Sequence, residues 1–294
     1  MSITITENMV QAYANNFRIL YQQKMSRLRA FCQQHSFVGQ SKAVERMGKT
    51  EAYDITSRHA DTKLLDTPHS RRWIDLADKG WADMIDELDK VRLLADPTGG
   101  YSEMARAALS RAMDTIIINA ARGNSRSNTG TLALPTAQKV AVGGTNLTLA
   151  KLLTVKEILD SNEVDDDASR QMDGQGATPS RIMVVNTKML TSLYGTTELK
   201  SIDFNTVKAL ANGQIDTFLG FKFIRTELLP KDATATTGYA LAWSKSCIGL
   251  GVGSDIQVSV DKRPDKNNGF QVYARMAIGA TRLEDEGVVE IACA

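Results

Sequence analysis

The segment from Ala43 to Val91 carries too many charges and too few apolar residues to form a core of its own. Acidic and basic side chains alternate along it, and the apolar residues between them are mostly single. Tyr53–Thr56 and Arg72–Leu76 have the composition of extended strands, and Thr67-Pro68 predicts a turn between them. We therefore predict that this segment is a long two-stranded hairpin.

A hairpin of this kind needs a partner surface, because two strands alone are only marginally stable in water. The covering surface is either the rest of the chain or another subunit, and the residues alone leave both open. Arg71-Arg72-Trp73 has the composition of a small nucleic-acid stacking site. The neighbouring acidic residues compensate its charge, which favours a salt-bridged protein interface instead.

The chain on either side of the hairpin predicts two long helices. Residues 6–34 show apolar side chains at helical spacing, typical of a core helix or of an arm that packs along a neighbour. Asp96-Pro-Thr-Gly-Gly100 predicts a break, followed by a helix over about 102–122. Gly123 stands where a left-handed C-terminal cap residue is expected.

The second half of the chain predicts a mixed α/β block followed by strands. In residues 147–235 we expect a helix at Leu149–Asp160 capped by Thr148, a buried strand at Arg181–Asn186, two short helices and a strand pair. The short helices are predicted at 187–194 and 205–211, the strand pair at 219–225, and an earlier hairpin at 131–134 and 139–142. Residues 236–294 are β-rich, and Gly249–Gly253 predicts a strand that another part of the backbone approaches closely.

Composition excludes several classes of function. Lys and Arg total 35 against 34 for Asp and Glu, so the formal charge is +1 and any DNA contact is expected to be weak and non-specific. Three distant cysteines indicate free thiols in a reducing compartment. We expect no signal peptide and no membrane segment.

No catalytic, cofactor-binding or metal-binding motif is recognisable in the sequence. The three histidines stand singly in polar surroundings, and a lone exposed histidine is more often a surface residue than a catalyst. The acidic run Asp165–Asp167 fails the calcium-loop pattern, because Arg170 and Gly176 fall at its sixth and twelfth positions. We therefore expect a chain that is not an enzyme and needs no cofactor.

An ordered series of short motifs resembles the major capsid proteins of tailed bacteriophages, which have the Hong Kong-phage shell fold. The motifs run through the whole chain: Thr56–Thr62, Pro68–Trp73, Trp81–Lys90, Arg111–Asp114, Val207–Gly213, Phe218–Arg225, Arg263–Lys266 and Gly279–Leu283. No single motif is diagnostic, and the resemblance depends on their order.

The resemblance implies an α+β capsid fold with five segments. These are an N-terminal helical arm (1–42), an extended E-loop hairpin (43–95), a peripheral domain with its spine helix (96–146), an axial domain (147–235) and C-terminal strands that return to the peripheral domain (236–294). Inter-subunit contacts are expected at Arg58, Lys63, Arg71, Arg72, Trp73 and Asp75. Replacing both Arg71 and Arg72 by Glu is expected to leave a soluble subunit that forms no shell.

The implied function is that of a self-assembling shell subunit in the virion. Pentamers and hexamers would form an icosahedral shell around double-stranded DNA, assembled in the host cytoplasm with a portal and a separate scaffolding protein. The scaffold is expected because only about 40 residues precede the hairpin. The alternative is an encapsulin-like compartment with the same fold and a protein cargo.

Overall fold

The computed structural model describes residues 20–59, 61–85, 98–164, 181–195, 217–232 and 237–294. The chain divides into two compact units. The first contains the described parts of 1–26, 78–112 and 254–277, and the second contains those of 27–77, 113–253 and 278–294. Each unit is described by itself below.

The described residues form helices and strands in a mixed order, as an α+β fold requires. The helices are α1 (Thr98–Arg122), α2 (Leu149–Ser161) and α3 (Thr187–Gly195). The strands are β1 (Gln33–Ser36), β2 (Ser41–Met47), β3 (His69–Asp75), β4 (Ala77–Ile85), β5 (Ser125–Ser127), β6 (Gly130–Leu132), β7 (Lys139–Val140), β8 (Arg181–Val185), β9 (Thr217–Phe218), β10 (Phe221–Arg225), β11 (Gly238–Ser244), β12 (Ile248–Arg263), β13 (Gly269–Arg282) and β14 (Val288–Cys293).

A six-stranded sheet in the order β7-β14-β11-β8-β10-β9 forms the main core of the second unit. Strand β8 is buried along its whole length, and Trp243 on β11 and Phe221 on β10 are fully buried beside it. Because β11 pairs with β8 and with β14, residues from the predicted C-terminal segment complete the sheet that the α/β block begins. Two strands of the predicted C-terminal segment thus share a sheet with strands of the predicted axial segment.

The predicted charged hairpin is present but shorter than expected. Strands β2 and β3 pair antiparallel from Ser41 opposite Asp75 to Met47 opposite His69, and β3 also pairs with β5. Residues 48–68 join the two strands, and their described part contains no strand, so the strand predicted at Tyr53–Thr56 is wrong. The turn predicted at Thr67-Pro68 is also wrong, since these residues stand where the return strand begins.

Strand β4 does not belong to this hairpin, although the prediction extended the arm to residue 95. It is instead an edge strand of a second sheet, in the order β1-β12-β13-β4. The hairpin predicted at 131–134 and 139–142 is wrong as well. The pair that forms there is β5 with β6, and β7 joins β14 in the six-stranded sheet.

The helices follow their predicted cores more closely than their predicted ends. Helix α1 confirms the long helix, and α2 confirms both the second helix and its cap, because Thr148 Oγ1 accepts a hydrogen bond from Lys151 N. Strand β8, helix α3 and the strand pair β9–β10 are confirmed. The helix predicted over 6–34 is wrong for residues 20–34, which contain a 3₁₀ turn at Arg29–Phe31 and the strand β1. Residues 6–19 and 205–211 lie outside the described residues.

Close packing explains the glycines near the ends of the long strands. A Cβ on Gly251 would lie 2.7 Å from the side chain of Ile74 and 2.8 Å from the ring of Phe37, so side chains make the close approach there and not the backbone that the glycine-rich strand predicted. A Cβ on Gly279 would lie 1.9 Å from the carbonyl oxygen of Asp75. Gly123 does not take the left-handed conformation predicted for it, but a Cβ there would meet Asn119 O at 2.6 Å.

Replacing Gly279 by Ala is expected to lower the free energy of unfolding by about 3 kcal/mol, because the new methyl group meets a backbone atom that cannot rotate away. Gly99→Ala is the matched control. A Cβ at Gly99 meets nothing within 4 Å inside α1, so that variant should gain up to about 1 kcal/mol. Chemical denaturation of the purified subunit measures both values, and equal effects would contradict this account.

Candidate functional site

The connection between β2 and β3 presents apolar side chains to solvent. Ile55, Leu64 and Leu65 are 80%, 93% and 52% exposed. Lys63, a predicted contact residue, places its Nζ 5.7 Å from the ring centre of Tyr53. Arg58, also predicted, is exposed and makes no hydrogen bond or ion pair with the part of the chain that the structure describes. This connection therefore offers both apolar and charged groups for a contact.

One face of β3 carries three of the predicted contact residues in a partly exposed group. Arg71 and Arg126 place their guanidinium groups 5.8 and 5.2 Å from the ring centre of Trp73. Arg71 Nε donates to Glu45 Oε1 at 2.6 Å, and Arg126 Nη1 lies 2.8 Å from Asp75 Oδ1. We call these five residues the Trp73 cluster. Their ion pairs compensate each other's charge, as the sequence predicted.

Arg72 lies on the opposite face of β3, because successive side chains of a strand point to opposite sides. It is 4% exposed, and its Nη2 donates to Asp285 Oδ2 at 2.7 Å within the same chain. Burial lowers the pKa of its guanidinium, and the charge of Asp285 opposes that shift. Within the subunit, the charged group of Arg72 therefore already has a partner and has almost no exposed surface.

Asp285 also binds a second arginine that is completely buried. Arg282 Nε donates to Asp285 Oδ1 at 2.5 Å, and the Arg282 side chain is 0% exposed. Its terminal nitrogens donate to Gly123 O at 2.7 Å, Leu132 O at 3.1 Å and Ala121 O at 3.2 Å. Asp285 therefore connects the hairpin strand β3 with the end of α1 and with β6. We call Arg72, Arg282 and Asp285 the Asp285 clamp.

Sequence reasoning missed the clamp, although the motif Gly279–Leu283 contains Arg282. The only available signal was the pattern Arg-Leu-Glu-Asp-Glu at 282–286, which resembles an ordinary charged turn. Two other buried polar residues were missed in the same way. Asp114 on α1 accepts the backbone N–H groups of Arg27 and Leu28 at 3.0 and 3.3 Å. The side-chain ammonium of Lys151 donates to three carbonyl oxygens, those of Val142, Thr145 and Ala292.

The described residues show no arrangement suited to a metal or to thiol chemistry. They contain no group of three or more His, Cys, Asp or Glu residues placed to hold a metal ion. The three cysteines are free and buried, and burial, followed by the charge of Asp114, raises the pKa of Cys32 to about 12. Among the described helices, none has both the length and the apolar character that crossing a membrane requires.

Solved structures that match this fold include phage capsids. The head structure of Helicobacter pylori bacteriophage KHP40 matches with a TM-score of 0.73 at 10% identity, covering 100% of this chain and 98% of that one. The capsid of Ralstonia phage GP4 gives 0.71 at 10% identity, with 97% and 95% covered. The capsid of cyanophage P-SCSP1u gives 0.70 at 17% identity, with 99% and 94% covered. The fold is therefore that of phage capsid shells.

The sequence itself places the chain within that class. The model of the family described as "Phage capsid protein" matches residues 5–294. The chain belongs to the phage capsid protein family, and the resemblance and the fold class inferred from its motifs are confirmed. Comparison with curated proteins gives no match.

Replacing Arg71 and Arg72 one at a time tests whether the two arginines lie in different environments. Arg71→Glu removes a partly exposed pair, so the free energy of unfolding should fall by no more than about 1 kcal/mol. Arg72→Glu places a carboxylate beside Asp285 in a buried site, so the loss should be on the order of 3–5 kcal/mol. Urea denaturation of each purified variant measures the difference. Similar losses for both variants would mean that Arg72 is not held inside the subunit.

Proposed function

We propose that this chain is the major capsid subunit of a tailed phage, forming pentamers and hexamers that tile an icosahedral shell around double-stranded DNA. The observation that most directly supports this proposal is the exposed connection between β2 and β3, in which Ile55, Leu64 and Leu65 face solvent. The family match and the capsid fold support the same conclusion.

A second subunit is the occupant that best accounts for these exposed side chains. Fully burying an isoleucine or leucine contributes about 1.5–3 kcal/mol, while ordering each residue of backbone costs about 1–2 kcal/mol. The connection alone therefore gains little from ordering. It gains more when the Trp73 cluster on the adjoining strands contacts the same neighbour, because the two surfaces are then ordered by one contact. A head-to-tail contact of this kind closes into rings when its rotation closes.

The contact residues that we retain from the prediction are Arg58, Lys63, Arg71, Trp73 and Asp75. All five carry exposed or partly exposed side chains on β3 or on the connection. Arg72 contributes indirectly, through its internal contact with Asp285.

The structural units support a revised assignment of the proposed domains. We assign β2, β3 and their connection to the extended loop, and the six-stranded sheet with α2 and α3 to the axial domain. We assign the parts of the first unit after residue 77, with the beginning of α1 and the outer parts of β12 and β13, to the peripheral domain. Residues 1–40 stay assigned to an N-terminal arm, since β2 begins at Ser41.

We propose that the shell encloses DNA without recognising its sequence. The formal charge of +1 provides no general excess of positive charge for binding phosphates. Confinement by a closed shell does not require such binding. A portal and a separate scaffolding protein complete the proposed set of partners, with assembly in the host cytoplasm.

Particle formation should depend on the apolar residues of the connection. We expect the wild-type chain, produced with its scaffolding partner, to give closed shells by electron microscopy, with nuclease-resistant DNA in particles from the native source. A triple variant, Ile55→Ser, Leu64→Ser and Leu65→Ser, should stay soluble and lose most closed shells, at least tenfold in yield. The matched control Ile55→Val, Leu64→Ile and Leu65→Ile keeps the apolar surface and should assemble.

Three results would overturn parts of this proposal. Full shell yield from the serine variant would exclude the connection as the contact. Particles filled with protein and free of nuclease-resistant DNA would favour the compartment alternative. Uniform closed shells from the chain expressed alone would exclude the need for a separate scaffolding protein.

A further inference from the structure

We propose that Asp285 is a positioning residue for the direction of the β2–β3 hairpin, because it holds Arg72 of that hairpin against Arg282, the last residue of β13. This inference rests on the proposed function, in which the hairpin contacts a neighbouring subunit. It goes further by naming an internal group that helps to hold the hairpin in its direction.

The body side of the clamp is fixed by an unusual number of hydrogen bonds. Arg282 is 0% exposed and donates to the carbonyl oxygens of Ala121, Gly123 and Leu132 as well as to Asp285. Each of these bonds involves a charged donor and is about twice as strong as a neutral hydrogen bond. Arg282 is therefore a rigid reference point that links the end of α1 to β6.

On the hairpin side, one charged contact of Arg72 adds to the backbone pairing of β3 with β5. Arg72 reaches the free oxygen of the same carboxylate, 2.7 Å away. Its Nε is buried and has no hydrogen-bond partner in the described structure. The bond to Asp285 is therefore the hydrogen bond on which the buried guanidinium depends. Two residues away, Ile74 is fully buried beside Gly249 and Gly251. Asp285 is thus the charged group that, together with the β5 pairing and this packing, holds β3 in its orientation.

The adjacent acidic residue provides a natural comparison. Glu286 faces Arg46 on β2 at 3.8 Å, beyond normal hydrogen-bond distance, and its side chain is 61% exposed. A pair of this kind contributes at most about 1 kcal/mol. Both carboxylates therefore lie beside the hairpin strands, but only Asp285 does so in a buried site with short contacts.

Removing the Asp285 charge converts an attraction into a repulsion. The two guanidinium groups share one carboxylate, so neutralising it leaves two buried positive charges facing each other. Arg282 keeps its three carbonyl acceptors, whereas Arg72 has no other hydrogen-bond acceptor among the described residues and keeps only the favourable charge of Glu286. The hairpin, rather than the body, should therefore move.

A small rotation of the hairpin at its base produces a large displacement of its tip. The connection of residues 48–68 extends the hairpin by up to about ten residues, or roughly 33 Å at 3.3 Å per residue. A rotation of about 10° at the base then displaces the tip by about 6 Å. A displacement of that size separates side chains that were in contact, so a ring of subunits would fail to close.

The test compares the subunit and its assembly in four forms: wild type, Asp285→Asn, Arg72→Met and the control Glu286→Gln. Spin labels at Met47→Cys, at the far end of β2, and Lys188→Cys, on α3, report the position of the hairpin within the second unit. The three native cysteines are buried and should not take the label. Amide exchange of β8 and β11 reports the integrity of the core, and electron microscopy reports closed shells.

We expect Asp285→Asn and Arg72→Met to widen the distribution of label distances at least twofold, with core exchange unchanged. Their yield of closed shells should fall at least tenfold, while Glu286→Gln matches the wild type. Arg72→Met retains the Asp285–Arg282 pair, so it loosens the hairpin without leaving buried charges unpaired.

The possible failures are distinguishable. Wild-type distance distributions or full shell yield in both variants would overturn the role of Asp285. So would loss of core protection in both, because Asp285 would then support the whole fold and not the hairpin direction. A wild-type chain that forms no shell under any condition would instead count against the proposed function, whatever the labels report.

Discussion

Arg282 is completely buried, and each of its three guanidinium nitrogens donates to an acceptor in the same chain. Its acceptors come from the end of α1, from the residue after it, from β6 and from Asp285. Three separate stretches of chain must therefore converge before this side chain can leave water. Desolvating a guanidinium costs several kcal/mol, so an incomplete arrangement is strongly disfavoured. Much of the second unit is organised around that requirement.

Local signals predicted the elements whose stability is decided locally. The cap at Thr148, the apolar run of β8 and the spacing of α1 each depend on neighbouring residues, and each was read correctly. The glycine-rich start of β12 was read correctly as a closely packed strand, although the side chains of Ile74 and Phe37, and not backbone, leave no room for a side chain at Gly251. The resemblance added the fold class and the family, which no single element carries.

Strand pairing between residues that lie far apart in the sequence explains the predictions that were wrong. The last strands look like a separate module in sequence, but β11 inserts between β8 and β14 after a long separation along the chain. Strand β4 resembles the second half of the charged hairpin and instead joins the sheet that contains β12 and β13. The Arg71-Arg72 pair was treated as one feature, whereas the pleat of β3 puts one residue in the Trp73 cluster and the other inside the subunit. Nothing within two or three residues encodes such partners.

Side chains alternate between the two faces of β3, and this alternation disfavours any incorrect register of the hairpin. A slip of one residue between β2 and β3 would turn every side chain of one strand to the opposite face. Arg72 would then leave Asp285, and Trp73 would replace it in a site shaped for a charge. A misfolded hairpin of this kind would be unstable inside its own subunit before it met another. The strand that carries the Trp73 cluster thus disfavours its own misfolded register, which would limit the number of defective copies available for assembly.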